Sequence, residues 1–209
     1  SMNNSKKRIA VFASGGGSNF KAIYKNTKNG IIAGKIALLV TNNPKSGSVE
    51  FANRENIKIV IYKNQSDIGS NNLIDKLISD KIDLIVLAGY LKLIPENIVE
   101  KFENRIMNIH PALLPRFGGK GFYGVAIHKA VIESKDKFSG VTIHFVDNSY
   151  DTGPIIVQSK VPVKPNDTPE VLAKRVLKEE HRLYFIVIKA FCDENFFWND
   201  NKPFIEELN

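Results

Sequence analysis

Short, almost wholly apolar runs alternate along this chain with longer segments of helical period. The first run, Ile9-Ala10-Val11-Phe12-Ala13 within residues 8–14, has no polar face, the pattern of a strand buried on both sides. Further strands are predicted at 36–40, 57–61, 82–88 and 105–110, and helices at 20–28, 46–56, 71–80 and 123–135. The run Ile82-Asp83-Leu84-Ile85-Val86-Leu87-Ala88 is the most hydrophobic and belongs at the centre of the sheet. Strands separated by helices of this length are βαβ units, so a parallel sheet is expected. Residues 138–146 alternate in polarity, and 155–163 form one more strand before a long helix opens at Thr168. Pro169 at the first helical position and Glu170 in the first turn mark that start, and the helix runs at least to Ala190. The aromatic tail at 191–198 is expected to close the core.

Composition narrows the class. With 209 residues, 43% hydrophobic and 24% charged, the chain has the make-up of an ordinary globular domain long enough to bury a full core. No apolar run approaches membrane-spanning length and no signal-peptide pattern opens the chain, so a cytoplasmic location is the default expectation. Ser1 before Met2 reads as a tag remnant. A single cysteine, Cys192, excludes an internal disulfide and a multi-cysteine metal site. The net charge of +7 invites a nucleic-acid reading, but the lysines are scattered, without a basic block or aromatic–basic interleaving. A solvated lysine-rich surface whose field draws in small anions is the better account, and neither a nucleic-acid nor a membrane partner is expected.

Three stretches carry chemistry. Gly15-Gly16-Gly17-Ser18-Asn19 joins the first strand to the first helix, aiming backbone amides and a helix N-terminus at one point, which suits a phosphate. Phe20 stands where the dinucleotide fingerprint needs its third glycine, and the second strand ends in Thr41-Asn42-Asn43 without an acid for a ribose. No Gly-Lys-Ser/Thr follows either, so the expected ligand is a simple phosphomonoester, with Ser18 and Asn19 as capping or ligand-binding side chains; a plain tight turn is the alternative. The second stretch is Asn108-Ile109-His110-Pro111-Ala112-Leu113-Leu114-Pro115. Strand periodicity puts Asn108 and His110 on one face at the carboxyl end of a strand, where open α/β sheets bind ligands, and the prolines force the chain to turn. The third is the turn cluster Asp147-Asn148-Ser149-Tyr150-Asp151-Thr152-Gly153-Pro154, with two carboxylates. The loop Gly89-Tyr90-Leu91-Lys92-Leu93-Ile94-Pro95 is either core or a wall for a flat ring. Of the other histidines, His128 reads as a surface or packing residue, His144 as support for the site and His181 as structural. No pair has metal-site spacing and no nucleophile elbow is present.

Together, in this order and spacing over roughly residues 7 to 190, the three stretches resemble the folate-dependent formyltransferases. The glycine loop is similar to the phosphate loop of the glycinamide ribonucleotide transformylases, Asn108–Pro115 to the formyltransferase signature, and Asp151-Thr152-Gly153-Pro154 to the turn bearing the catalytic carboxylate. The resemblance implies the formyltransferase fold: α/β, Rossmann-like, an open, mostly parallel twisted sheet with helices on both faces, in a single domain spanning 1–209. Residues 7–105 would form the half that binds phosphate and ribonucleotide, and 106–209 the catalytic and folate-binding half. It implies transfer of a formyl group from 10-formyltetrahydrofolate, a co-substrate, to the amine of 5′-phosphoribosylglycinamide in purine biosynthesis, with no metal, nicotinamide or flavin. Asn108, His110 and Asp151 would be catalytic, His144 supporting. Asn108 and a protonated His110 would stabilise the oxyanion, and Asp151 would favour the imidazolium and assist proton transfer. Gly16, Gly17, Ser18 and Asn19 would hold the phosphate and Glu180 the ribose, while Leu91, Lys92, Leu93 and Ile94, with Asn108 and Asp151, would bind folate.

The chain departs from that pattern in three places. Leu177 replaces the polar residue expected three before Glu180, so that phosphate contact is moved or lost. Lys92 stands where arginine is usual, and the loop 118–124 differs from the commoner form. A cis bond is implied at Leu114-Pro115. The partners are small molecules, and the chain would be a monomer or homodimer. Rival readings are another folate-dependent formyltransferase, a 10-formyltetrahydrofolate hydrolase, and a non-catalytic folate or nucleotide sensor. The stretch after Asp151 is expected to leave no room for a tRNA-binding domain, and a strand beginning by Arg8 none for an N-terminal regulatory domain.

Overall fold

The computed structural model describes residues 5–63 and 67–205, so Ser1 and Met2 lie outside the described residues. Seven strands form one sheet: β1 (Lys7–Phe12), β2 (Gly34–Thr41), β3 (Lys58–Ile61), β4 (Leu84–Leu87), β5 (Ile106–His110), β6 (Phe138–Phe145) and β7 (Ile155–Pro162). Their order is β3-β2-β1-β4-β5-β6-β7, which puts β4 at the centre, as its hydrophobicity predicts. Pairing is parallel from β3 through β5 and antiparallel for β5–β6 and β6–β7.

Strand alternation sorts side chains into two cores. Ile9, Val11, Leu84, Val86, Met107 and Ile109 enter one, packed under helices α1 (Ser18–Lys28), α2 (Gly47–Arg54), α5 (Val125–Glu133) and α6 (Pro169–Cys192). Ala10, Phe12, Ile85, Leu87 and Ile106 enter the other, under α3 (Asp67–Ser79) and α4 (Glu96–Lys101). Helices thus cover both faces of the expected mostly parallel α/β sheet. Tyr184 of α6 is fully buried, and its hydroxyl shares its one proton between the carbonyls of Leu87 (2.8 Å) and Met107 (3.1 Å), tying α6 to both β4 and β5. Left unpaired, a hydroxyl so deep would cost ~1–3 kcal/mol.

The chain runs outward from β1 to β3 and returns beside β1 as β4, so the order reverses between β1 and β4. That switch point opens a crevice at the carboxyl ends of the strands. Three details differ from expectation. The helix α4 follows Pro95, in a stretch to which the sequence assigned no element; α3 starts at Asp67 rather than 71; and the aromatic tail is divided. Phe191 and Phe196 pack on the core, but Phe197 and Trp198 are 41% and 43% exposed in a hairpin of β8 (Phe197–Asn199) and β9 (Lys202–Phe204).

Candidate active site

The crevice is a cavity of about 720 Å³ whose wall includes every residue assigned to the site from the sequence. Gly16, Gly17, Ser18, Asn19 and Glu180 line it, as do Leu91–Ile94, Asn108, His110, His144 and Asp151.

The glycine loop turns into α1 at Gly17, whose φ of 75° and lack of a side chain are both needed: a Cβ there would stand 2.4 Å from the Ser48 hydroxyl. That hydroxyl donates to the Gly15 carbonyl at 2.7 Å, so the first turn of α2 braces the loop from behind. No side chain caps α1, and Ser18 and Asn19 lie inside its first turn, so of the two roles expected for them capping is excluded. The uncapped N-terminus faces the cavity. Asn19 is buried and donates from Nδ2 to Glu180 at 3.2 Å. Burial pushes the Glu180 carboxyl up to about 7, against the opposing pull of that hydrogen bond.

Asn108 and His110 share a face of β5, opposite Met107 and Ile109, as strand periodicity requires. Antiparallel pairing sets His144 of β6 directly across from Asn108. His144 Nδ1 lies 2.8 Å from the Phe145 carbonyl and must donate to it; with the proton on Nδ1, Nε2 accepts from Asn108 Nδ2 at 3.2 Å. The other amide hydrogen of Asn108 points to Asp151 Oδ1 at 3.4 Å, a long contact. His110 Nε2 donates to the Phe117 carbonyl at 2.7 Å, leaving Nδ1 facing Asp151 Oδ1 at 3.6 Å.

Burial lowers the His110 pKa, and although Asp151 and the Phe117 carbonyl work the other way, the net direction is down. Desolvation thus outweighs the neighbouring carboxylate, which favours the neutral form of the unliganded ring. Burial also pushes Asp151 up, but the His144 imidazole, the charge His110 carries once protonated at low pH and the Gly119 amide (3.0 Å) outweigh it and hold the carboxyl below its usual range. Asp151 has a φ of 57°, and the turn that holds it is fixed by the other carboxylate of the cluster. Asp147 accepts from the Thr152 hydroxyl at 2.7 Å and from the Ser149 amide at 2.9 Å. The two carboxylates thus divide into one that shapes the turn and one that faces the cavity.

The loop after β4 resolves as partly core and partly wall. Tyr90 and Ile94 are 8% and 5% exposed, while Leu91 and Leu93 are 45% and 40% exposed on the cavity side. Ser14 accepts from the Leu91 amide at 3.0 Å and donates to Asn42 at 2.6 Å, anchoring this wall to β1. Tyr150 donates to the Leu91 carbonyl at 3.4 Å, bridging from the Asp151 turn to the wall. Thr142 donates to Ala112 and accepts from Leu114, fixing the turn after β5, where Leu114-Pro115 is cis.

The reading of His128 as a possible surface residue is corrected. It is 5% exposed, lines the cavity, and its Nδ1 has no partner among the described residues. Burial, and then repulsion from His110 when that ring is protonated, lower its pKa. Its signal was present in the spacing: His128 sits three residues from Val131 on the apolar face of α5. His181 is half-buried on α6 and lies outside the cavity wall. No group of acidic, histidine or cysteine side chains among the described residues could hold a metal ion. No helix among them is long and apolar enough to cross a membrane.

Comparison with known proteins points to one family. Residues 7–188 match the model of the family described as formyl transferase. A phosphoribosylglycinamide formyltransferase, chloroplastic, of Arabidopsis thaliana is 50% identical over 96% of this chain and 71% of its own length. A phosphoribosylglycinamide formyltransferase of Bacillus subtilis is 37% identical over 90% of this chain and 96% of its own. The crystal structure of glycinamide ribonucleotide transformylase 1 from Symbiobacterium toebii superposes with a TM-score of 0.87 at 34% identity, covering 96% of this chain and 94% of that one.

Proposed function

The chain belongs to the formyl transferase family, and from that premise we propose that it transfers the formyl group of 10-formyltetrahydrofolate to the amine of 5′-phosphoribosylglycinamide. The observation that carries the reading is the meeting of Asn108, His110, His144 and Asp151 in one cavity that also holds the uncapped, glycine-rich start of α1. One end suits a phosphomonoester and the centre suits acyl transfer to nitrogen.

The reaction needs no covalent enzyme intermediate. The amine attacks the formyl carbon, a C–N bond forms, and the carbonyl electron pair moves to oxygen. Asn108 Nδ2 exchanges its long contact with Asp151 for this oxyanion, held in place by the bond to His144. The proton shed by the attacking amine passes, with Asp151 as relay, to the free Nδ1 of His110. The imidazolium so formed stands beside the oxyanion and is stabilised by Asp151. It returns the proton to the folate nitrogen as the old C–N bond breaks, giving formylglycinamide ribonucleotide and tetrahydrofolate. His110 is thus neutral at rest and charged only while the intermediate exists.

Phosphate on the amides of residues 17–19, ribose at Glu180, and pterin against Leu91–Ile94 complete the proposal. The site draws on both sides of residue 105, so the two expected halves would act as one unit within a single domain. A cytoplasmic location is part of the same proposal; the plant relative above is named as chloroplastic.

Formyl transfer is tested by following 10-formyltetrahydrofolate consumption with and without the ribonucleotide, using Asp151→Asn as control. Turnover that requires the ribonucleotide and collapses in the variant supports the proposal. Turnover without an acceptor would make the protein a hydrolase, and ligand binding without turnover a sensor.

A further inference from the structure

The phosphate end of the cavity lacks a cation on its own loop, since residues 15–19 contain only glycine, serine and asparagine. A phosphomonoester carries between one and two negative charges near neutrality, and a helix N-terminus offsets only about half a charge. The balancing cation has to come from a neighbouring element, and α6 runs alongside α1, joined to it by the Asn19–Glu180 hydrogen bond. Leu177, one turn before Glu180 on the cavity wall, is apolar.

Three basic residues lie near it on α6, and the structure separates them. Arg175 is committed elsewhere: it holds Asp167 through two bonds of 2.5 and 2.8 Å and donates to the Pro162 carbonyl at 2.8 Å. Lys174 and Lys178 are both exposed, but Lys178 takes no part in the cavity wall. Lys174 lines the cavity with Ala173, Leu177 and Glu180, and its ammonium makes no hydrogen bond or ion pair among the described residues. Positions 174 and 177 share a helix face, so the Leu177 side chain gives the aliphatic stem of Lys174 an apolar bed along which to reach the loop.

We propose that Lys174 is the phosphate-binding cation of this chain, supplying from one turn back the contact that Leu177 cannot make. The inference rests on the ribonucleotide reading above. It makes Lys174 a determinant of affinity for the phosphorylated substrate and leaves the chemical step to the groups around Asp151.

The test compares the full-length protein with Lys174→Ala, Lys174→Arg and Lys178→Ala, measuring formyl transfer kinetics and equilibrium binding of glycinamide ribonucleotide and of its dephosphorylated riboside. In Lys174→Ala the KM and Kd for the ribonucleotide rise roughly tenfold, the scale of one charged hydrogen bond, while kcat and the KM for the folate hold. Lys174→Arg keeps most of the affinity, Lys178→Ala behaves as the parent, and the riboside binds parent and Lys174→Ala equally. Unchanged ribonucleotide affinity in Lys174→Ala overturns the assignment. So does an equal loss for the riboside, because the lysine would then act through local structure and not through phosphate. A parent protein that neither binds nor formylates the ribonucleotide overturns the underlying function instead, which sets that failure apart from the failure of Lys174 alone.

Discussion

Replacing Glu180 by glutamine should make the protein more stable and a poorer enzyme, and the stability gain should depend on pH. Burial lifts this carboxyl from 4.5 to about 7. Between those values the folded protein keeps a proton that the unfolded chain has released, so the group's contribution to stability falls as pH rises through that window. Above it, the folded protein carries a charge on a largely enclosed wall of the cavity, opposed only by the Asn19 amide. Glutamine preserves the size and still accepts from Asn19 but never ionises. The shift sets an upper limit of ~3 kcal/mol, and water at the cavity mouth reduces the expected gain to about 1–2 kcal/mol. For a chain of this length that is a rise in melting temperature of roughly 5 °C. Urea unfolding at pH 5 and pH 8 tests it: the two proteins should nearly coincide at the lower pH and separate at the higher. A variant no more stable than the parent at pH 8, or a gap that ignores pH, would refute the reasoning. The same variant should bind the ribonucleotide less tightly, because an amide oxygen is a weaker acceptor for a ribose hydroxyl than a carboxylate.

Other expectations follow from the same geometry. Asn108→Ala should lower kcat by ~10²–10³ with little change in KM, the scale of one lost oxyanion donor, read from steady-state kinetics. The pH profile of kcat/KM should lose activity on the acid side as His110 gains its proton, with the limb below pH 6.5, because burial lowers that group. In Asp151→Asn the residual activity should show the limb shifted further down, since Asp151 is the charge that raises it. Cys192 is buried and burial pushes its thiol up to about 12, so a thiol reagent at pH 8 should label it only after denaturation. Gly153→Ala would drive a Cβ to 1.7 Å from the Phe145 carbonyl, so a loss of at least ~3 kcal/mol is expected in urea unfolding, together with displacement of the Asp151 turn.

The sheet was legible because strands buried on both faces leave an unmistakable apolar record, and β4, the strongest of them, does lie at the centre. The helix α4 left no such record. Its six residues hold only Ile98 and Val99 as apolar positions, too few for a helical period to emerge, and Pro95 before it reads equally well as a loop signal. The β8–β9 hairpin hid inside an aromatic tail that suggested packing. Its turn, Asp200-Asn201, has both residues at positive φ (49° and 65°), the geometry of a tight hairpin in which asparagine and aspartate are favoured. There the sequence did carry the information, and the aromatic count on either side drew attention away from it.

The site separates what periodicity can show from what only three dimensions can. That Asn108 and His110 share a face follows from a period of two, but their protonation does not. It depends on Phe117, seven residues on, whose carbonyl claims one nitrogen of His110, and on how far burial outweighs Asp151 at the other. Likewise the chain shows Leu177 to be incapable of a phosphate contact, yet sequence alone leaves Lys174, Arg175 and Lys178 as equal substitutes. Asp167 decides among them by occupying Arg175, and the winding of α6 decides the rest by turning Lys178 outward and Lys174 onto the cavity wall. A lost contact in a binding site is therefore best sought by asking which nearby charges are already neutralised. The residue left without a partner at the edge of the cavity is the one available to the ligand.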